Sequence, residues 1–131
     1  GKVYASAYRT ISDARLKADI RPLGSTLDKV VRLEGKRYRL LDQPLHHTDI
    51  GLIAQHVEKV LPEIISQTED GYKAIAYHSL TAVLIEAMKE QQQQITKLQR
   101  ENEELKSAMA EQMEALLARV TMLEGVQVAT K

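Results

Sequence analysis

The chain has 131 residues, with 18 Lys/Arg against 18 Asp/Glu, no Cys, Trp or Phe, and five Tyr as its only aromatics. That length holds one small domain plus an extended element, and the lack of Cys excludes a disulfide framework, thiolate chemistry and a zinc–cysteine cluster. The basic residues are interleaved with Leu, Val and Asp instead of forming a nucleic-acid stripe, and no apolar run approaches a membrane span or a signal peptide.

Residues 1–11 are rich in β-branched and aromatic types and read as an extended strand or arm. Because the chain opens on Gly1-Lys2 and not Met, it is expected to be a piece of something longer. Residues 12–19 read as a short helical turn or structured loop, and Pro22 and Gly24 punctuate the stretch after it. Leu27, Val30, Val31 and Leu33 suit a short amphipathic helix with Ser25 or Thr26 as its cap. Glu34-Gly35-Lys36 reads as a turn and Arg37 to Leu41 as a strand. Leu45 to Asp49 is a polar loop, and Ile50 to Val60 reads as a short strand running into a helix that Pro62 ends. Glu63 to Ser66 and Tyr72 to Ala76 predict two strands of a hairpin around Glu69-Asp70-Gly71. From Ser79 to about Glu124 the pattern is helical throughout, a length of ~70 Å at 1.5 Å per residue. The fold class is therefore α+β: a small head of short helices and strands followed by a long C-terminal helix.

Charge divides along the same lines. Residues 1–44 carry ten Lys/Arg against five Asp/Glu, whereas residues 79–124 carry five against eight. A basic head and an acidic helix can meet within or between subunits. Along the helix, Leu84, Met88, Gln91, Ile95, Leu98, Asn102, Leu105 and Met109 alternate spacings of four and three, and Met113, Leu116, Val120 and Leu123 continue the row. That is a coiled-coil seam with a stutter between Leu105 and Met113, where two spacings of four fall together and the supercoil locally unwinds. Asn102 on the seam costs stability but can fix register, and Glu101 and Lys106 fall at g and the following e, where charges pair between parallel chains. Self-association is the simplest source of partners, and a helix folded back on its own head is the alternative. The Gln91–Gln94 run reads as a solvated, helix-tolerant stretch. Leu and Ile are not segregated between a and d, so the pattern does not choose an oligomer number.

The candidate chemistry lies in Ser12-Asp13-Ala14-Arg15-Leu16-Lys17. A serine hydroxyl needs a base before it is a useful nucleophile. A lysine serves only when neutral, which burial or a nearby positive charge favours, and Arg15 is a source of such charge. On one ideal helix the two side chains point about 140° apart, so they must meet through a non-helical turn or across a subunit boundary. Residue types alone equally allow Ser12 as a helix N-cap and Lys17 as a solvated charge. His46, His47, His56 and His78 show no metal-ligand spacing with a second strong ligand, and no cofactor or metal is expected.

Ser12-Asp13-x-Arg15-Leu16-Lys17-x-x-Ile20 resembles the opening signature of the C-terminal intramolecular chaperone domains of bacteriophage tailspikes, tail fibres and endosialidases, a domain type also found in the myelin regulatory factor. Further stretches occur in the family's order. They are Tyr38 with its basic neighbours, Gly51-Leu52-Ile53-Ala54-Gln55-His56-Val57-Glu58 with Leu61-Pro62-Glu63, Gly71-Tyr72-Lys73-Ala74-Ile75 with Tyr77 and Leu80, and a final helix through Val83 to Ala87. His56 stands where the family often has an acidic residue, and Ile11 is bulkier than the small residue expected before the cut.

The resemblance implies a homotrimer that helps a preceding β-rich fibre or tailspike segment of the same polypeptide to fold. It then implies single-turnover release by a Ser-Lys dyad, with Ser12 the nucleophile, Lys17 the general base and Ile11–Ser12 the scissile bond. Residues 1–11 would be the end of the upstream cargo, 12–78 the chaperone head with the cleavage site, and 79–131 the coiled-coil helix and tail. Neither nucleic acid nor membrane is an expected partner, and the setting implied is the host cytoplasm during virion assembly, with the domain released from the mature tail. Two other readings stay open: a trimerisation module that does not cleave, and the equivalent domain of a myelin regulatory factor-like transcription regulator.

Overall fold

Two short antiparallel ribbons and two short helices pack against the first turns of one long helix. The computed structural model describes residues 5–129, so the first four residues of the expected arm and the last two of the tail lie outside the described residues. Helix α1 spans Leu27–Val30, α2 Ala54–Glu58 and α3 Tyr77–Ala129; strands β1 to β4 are Lys36–Tyr38, Asp49–Gly51, Ile65–Gln67 and Lys73–Ile75. Strands β1 and β2 pair antiparallel with Arg37 opposite Ile50, and β3 and β4 with Ser66 opposite Ala74. The mixed class read from the sequence is the one observed.

Local chemistry explains most boundaries. The β3–β4 turn closes through Thr68 N–H to the Tyr72 carbonyl at 2.8 Å and Gly71 N–H to the Thr68 carbonyl at 2.9 Å. Gly71 takes φ 84°, a conformation that costs glycine nothing. The predicted strand from Glu63 starts later, because Pro62 opens a single 3-10 turn over Pro62–Ile64 before β3 begins. The expected strand Arg37–Leu41 is shorter and one residue earlier, since after Tyr38 the Arg39 guanidinium turns back to the Gln43 carbonyl at 2.8 Å. Residues 5–11 form no strand and are exposed, so the arm reading holds there and the strand reading does not.

The cap of α1 differs from the expected one. Thr26 occupies the N-cap position, but its side chain makes no capping bond. Its hydroxyl instead donates to the Val83 carbonyl of α3 at 3.2 Å, and Thr26 is 2% exposed. The free N–H groups of α1 are taken up from outside. Glu90 accepts from Thr26 N–H at 2.7 Å and from Leu27 N–H at 3.2 Å. A carboxylate at a helix N-terminus satisfies orphan donors and suits the helix dipole.

The core is small and aliphatic: Val57, Leu61, Ile64, Leu80, Val83 and Ala87. Three of these six belong to α3, so the long helix is part of the head before it leaves it. It begins at Tyr77, two residues before the predicted start, and runs 53 residues, ~80 Å at 1.5 Å per residue. The Tyr77 hydroxyl accepts from Leu52 N–H at 2.8 Å, which joins the end of β2 to the start of α3. Beyond Glu90, residues 91–127 are exposed, so among the described residues the helix does not fold back on the head.

Gly51 is where this junction is tightest. A Cβ there would stand 2.8 Å from the Tyr77 hydroxyl and 3.3 Å from the Tyr38 ring. Gly51→Ala should therefore displace the tyrosine and cost on the order of 1–3 kcal/mol. Tyr77→Phe, which loses only the hydrogen bond, should cost about 1 kcal/mol. Thermal unfolding at one fixed protein concentration reads both; an unchanged midpoint for Gly51→Ala would show that the junction yields freely.

Candidate functional site

Ser12 and Lys17 meet within a single chain. Lys17 Nζ donates to Ser12 Oγ at 2.5 Å. The obstacle of their spacing is removed by a 3-10 turn over Ala14–Leu16, with extended backbone at Asp13 and Lys17 on either side. Leu16 N–H bonds the Asp13 carbonyl and Lys17 N–H the Ala14 carbonyl, each at 3.1 Å. The tighter winding and extended exit carry Lys17 back over Ser12, which an α-helix of the same residues would not do.

Asp13 and Arg15 build that turn. Asp13, not Ser12, is the N-cap: its carboxylate accepts Arg15 N–H at 2.9 Å. The Arg15 guanidinium then clasps the same carboxylate, with Nη2 2.8 Å from Oδ2. Arg15 was expected to supply positive charge at Lys17; its charge is instead committed to Asp13. The Arg15 side chain, and after it the Arg15 backbone N–H, hold the Asp13 carboxyl below its ordinary value, and the guanidinium is shifted up in turn. The pair is exposed, so its role is to shape the turn more than to stabilise the fold.

All residues from 5 to 25 are exposed, and apolar side chains flank the pair: Tyr8 at 89%, Ile11 at 80%, Leu16 at 74% and Ile20 at 72%. Beyond Lys17 the chain turns at Asp19, which takes φ 54°. Arg21, Pro22 and Leu23 then face Ala82, Ile85, Glu86 and Lys89 of α3 across a shallow cleft. The other motif residues lie elsewhere. Gly51 to Gln55 and Tyr72 to Ala76 serve the β2–α2 junction and the hairpin. His47 lies 3.2 Å from Asp49, His56 sits on α2 and His78 on the first turn of α3. Among the described residues no group of three or more His, Cys, Asp or Glu could hold a metal, and no helix is long and apolar enough to cross a membrane.

Residues 12–66 match the family described as chaperone of endosialidase, and the match begins on Ser12 itself. The matched stretch takes in most of the head and ends before α3. Over 85 residues the chain is 38% identical to the Long tail fiber protein Gp37 of Enterobacteria phage K3, covering 60% of this chain and 7% of that protein. It is 36% identical over 95 residues to the Gp37 of Enterobacteria phage M1, covering 66% and 38%. Over 116 residues it is 29% identical to the Gp37 of Salmonella phage S16, covering 81% and 15%. The chain thus spans only a small part of the length of these relatives.

Sequence reasoning missed the contacts that Glu90 and Tyr77 make. Glu90 lies off the seam, where a glutamate reads as a solvated charge, and only the tertiary approach of α1 gives it work. Tyr77 preceded the predicted helix.

The Asp13–Arg15 clasp makes a pH prediction. A depressed carboxyl keeps the turn intact above the ordinary carboxylate range and loses it as pH falls through the lowered value. A carbon-13 NMR titration should find Asp13 titrating below an ordinary aspartate, and Arg15→Ala should bring it back up. An Asp13 titration that Arg15→Ala leaves unmoved would show that the clasp does not form in solution.

Proposed function

We propose that this chain is the assembly chaperone of a phage tail fibre: it trimerises through α3, helps an upstream β-rich segment of its own polypeptide to fold, and then releases itself by cutting Ile11–Ser12. The family match over residues 12–66 and the Gp37 relatives support the chaperone role and its place in virion assembly. The observation that carries the cleavage is the 2.5 Å approach of Lys17 Nζ to Ser12 Oγ at the first residue of the family match.

The chemistry derives from that pairing. Lys17, as a neutral amine, takes the Ser12 hydroxyl proton while Oγ attacks the Ile11 carbonyl carbon. The tetrahedral adduct loses the Ile11–Ser12 C–N bond, and the proton passes to the departing amine. An ester now joins the Ile11 acyl group to Ser12 Oγ. Water hydrolyses it, leaving an Ile11 carboxylate and restoring the Ser12 hydroxyl. The attacking and attacked groups are neighbours in one chain, so proximity supplies much of the rate and no substrate pocket is needed. Each chain reacts once.

Self-association is inferred from the exposed seam, and the family resemblance supplies the number three. Leu98, Leu105, Met109, Met113, Leu116 and Leu123 stand 55–65% exposed in one chain, and a row of this length at alternating spacings of four and three finds cover in copies of itself. The same assembly offers the exposed Tyr8, Ile11, Leu16 and Ile20 something to pack on. Covering the Ser12–Lys17 turn also excludes the water that keeps an amine protonated. A module that trimerises but does not cut remains the competing reading, favoured by the exposure of the pair in the single chain.

Sedimentation equilibrium should give a mass of about three chains; a monomer at micromolar concentration would defeat the coiled coil. Leu98→Asp with Leu105→Asp should dissociate it, since each buried carboxylate on the seam costs several kcal/mol. Mass spectrometry of a parent carrying residues before position 12 should find a new N-terminus at Ser12. Ser12→Ala and Lys17→Arg should both stay uncut and trimeric, the second because a guanidinium does not give up its proton. Continued cutting of Ser12→Ala at the normal rate would remove the serine mechanism. An upstream segment that folds at normal yield after deletion of residues 12–131 would remove the chaperone role.

A further inference from the structure

Two side-chain stripes run along the first turns of α3. Leu80, Val83, Ala87 and Glu90, spaced three, four and three apart, face the chain's own head; the three apolar members are 3–8% exposed. Leu84, Met88 and Gln91, the start of the proposed seam, lie about 100° round the helix, one residue on from their inward neighbours. They face outward, with Leu84 at 50% and Met88 at 71% exposed. The two stripes overlap only between Leu84 and Gln91. Glu90 is the last residue to touch the head, and it shares its turn with Met88 and Gln91.

What Glu90 holds is the chain leaving the Ser12–Lys17 turn. Its two carboxylate oxygens accept from Thr26 N–H, Leu27 N–H and, at 3.2 Å, the Ser25 hydroxyl. Seven residues separate Lys17 from Ser25, and within them Arg21, Pro22 and Leu23 lie along the face of α3 just N-terminal to Glu90. Among the described residues, 91–125 are exposed in the single chain, and a helical stretch without tertiary packing is marginal in water. Loosening of the Met88–Gln91 turn would withdraw Glu90 from the α1 cap. Neighbouring chains packed on Met88 and Gln91 would keep that turn wound.

We propose that Glu90 is a positioning residue that carries the state of the seam to the Ser12–Lys17 pair, by clamping Ser25–Leu27 to α3 more firmly when the Met88–Gln91 turn is held by partner helices. The proposal rests on the self-cleavage reading above, and it adds a physical route by which assembly licenses the cut. The two-state element is the helical turn itself, wound or frayed.

The test is a double-mutant cycle on the full chain joined to an upstream segment. Glu90→Ala should remain trimeric by sedimentation yet cut before Ser12 about tenfold more slowly, the scale set by losing bonds to two part-buried backbone donors. Glu90→Gln, which keeps one acceptor oxygen, should fall between and guards against a misfolded alanine variant. Combined with Leu98→Asp and Leu105→Asp, Glu90→Ala should cut no more slowly than the seam-broken chain alone, because both changes open the same clamp. A purely structural Glu90 would instead make the two losses multiply, and that result overturns the proposal, as does a Glu90→Ala trimer that cuts at the normal rate. Hydrogen exchange gives a readout independent of cutting: the Thr26 and Leu27 amides should exchange about tenfold faster in the seam-broken monomer than in the trimer. Unchanged exchange sinks the clamp even if Ser12 cuts. Exchange that tracks the seam in a chain that never cuts keeps the clamp and removes the self-cleavage reading beneath it.

Discussion

The head of this protein depends on the inward face of α3. Six buried apolar side chains are a thin core for a domain with four three-residue strands and two helices of four and five residues. None of these elements is long enough to persist alone. Val57, Leu61 and Ile64 come from the α2–β3 region, while Leu80, Val83 and Ala87 come from α3. Remove the helix and half the core is gone, and with it the Thr26–Val83 bond and the Glu90 cap that fix α1. The stalk and the fold are therefore one object. A chain built this way cannot have a well-formed head with a poorly formed start to its helix, and that places the head's integrity close to whatever happens on the outer stripe.

The fold was legible where periodicity or turn chemistry is local. The Gly71 turn, the helix from the late seventies onward and the outward row from Leu84 to Leu123 all derive from spacing and residue type. Boundaries slipped where one long-range contact decides them: Tyr77 joins α3 because its hydroxyl reaches Leu52, and β3 waits for the Pro62 turn. The cap of α1 was legible as a position but not as an interaction. Ser25 and Thr26 are the residue types that cap themselves, yet both hydroxyls point at α3 and the carboxylate arrives from a residue 63–65 positions away. No local rule marks Glu90, since any glutamate off the seam looks like a solubilising charge.

The candidate site divides in the same way. Its geometry is local: Asp13 caps a 3-10 turn, Arg15 clasps Asp13, and Lys17 falls back onto Ser12. That answers the spacing problem without a second chain, since five residues that cannot share a helical face can share a tight turn. Its environment is not local. A lysine that is to take a proton from serine needs water removed, and nothing within the described single chain covers residues 5–25. The sequence therefore contains the arrangement of the reacting groups but only indirectly their surroundings, as a row of apolar residues on a distant helix and a scatter of exposed ones beside the pair.

This division would suit the proposed self-cleavage, a reaction that should happen once and late. If nucleophile and base were prearranged in a buried pocket of the lone head, the chain would cut as soon as it folded, before any neighbour was engaged. If their geometry itself required three chains, each subunit would have to find its partners and its active conformation in one step. A preformed but uncovered pair avoids both difficulties. The turn holds Ser12 and Lys17 within hydrogen-bond reach in the single chain, and in the proposed trimer the burial that favours a neutral lysine would be left to the partner chains. On that proposal, the apolar seam that drives association would also be the source of the chemistry's environment.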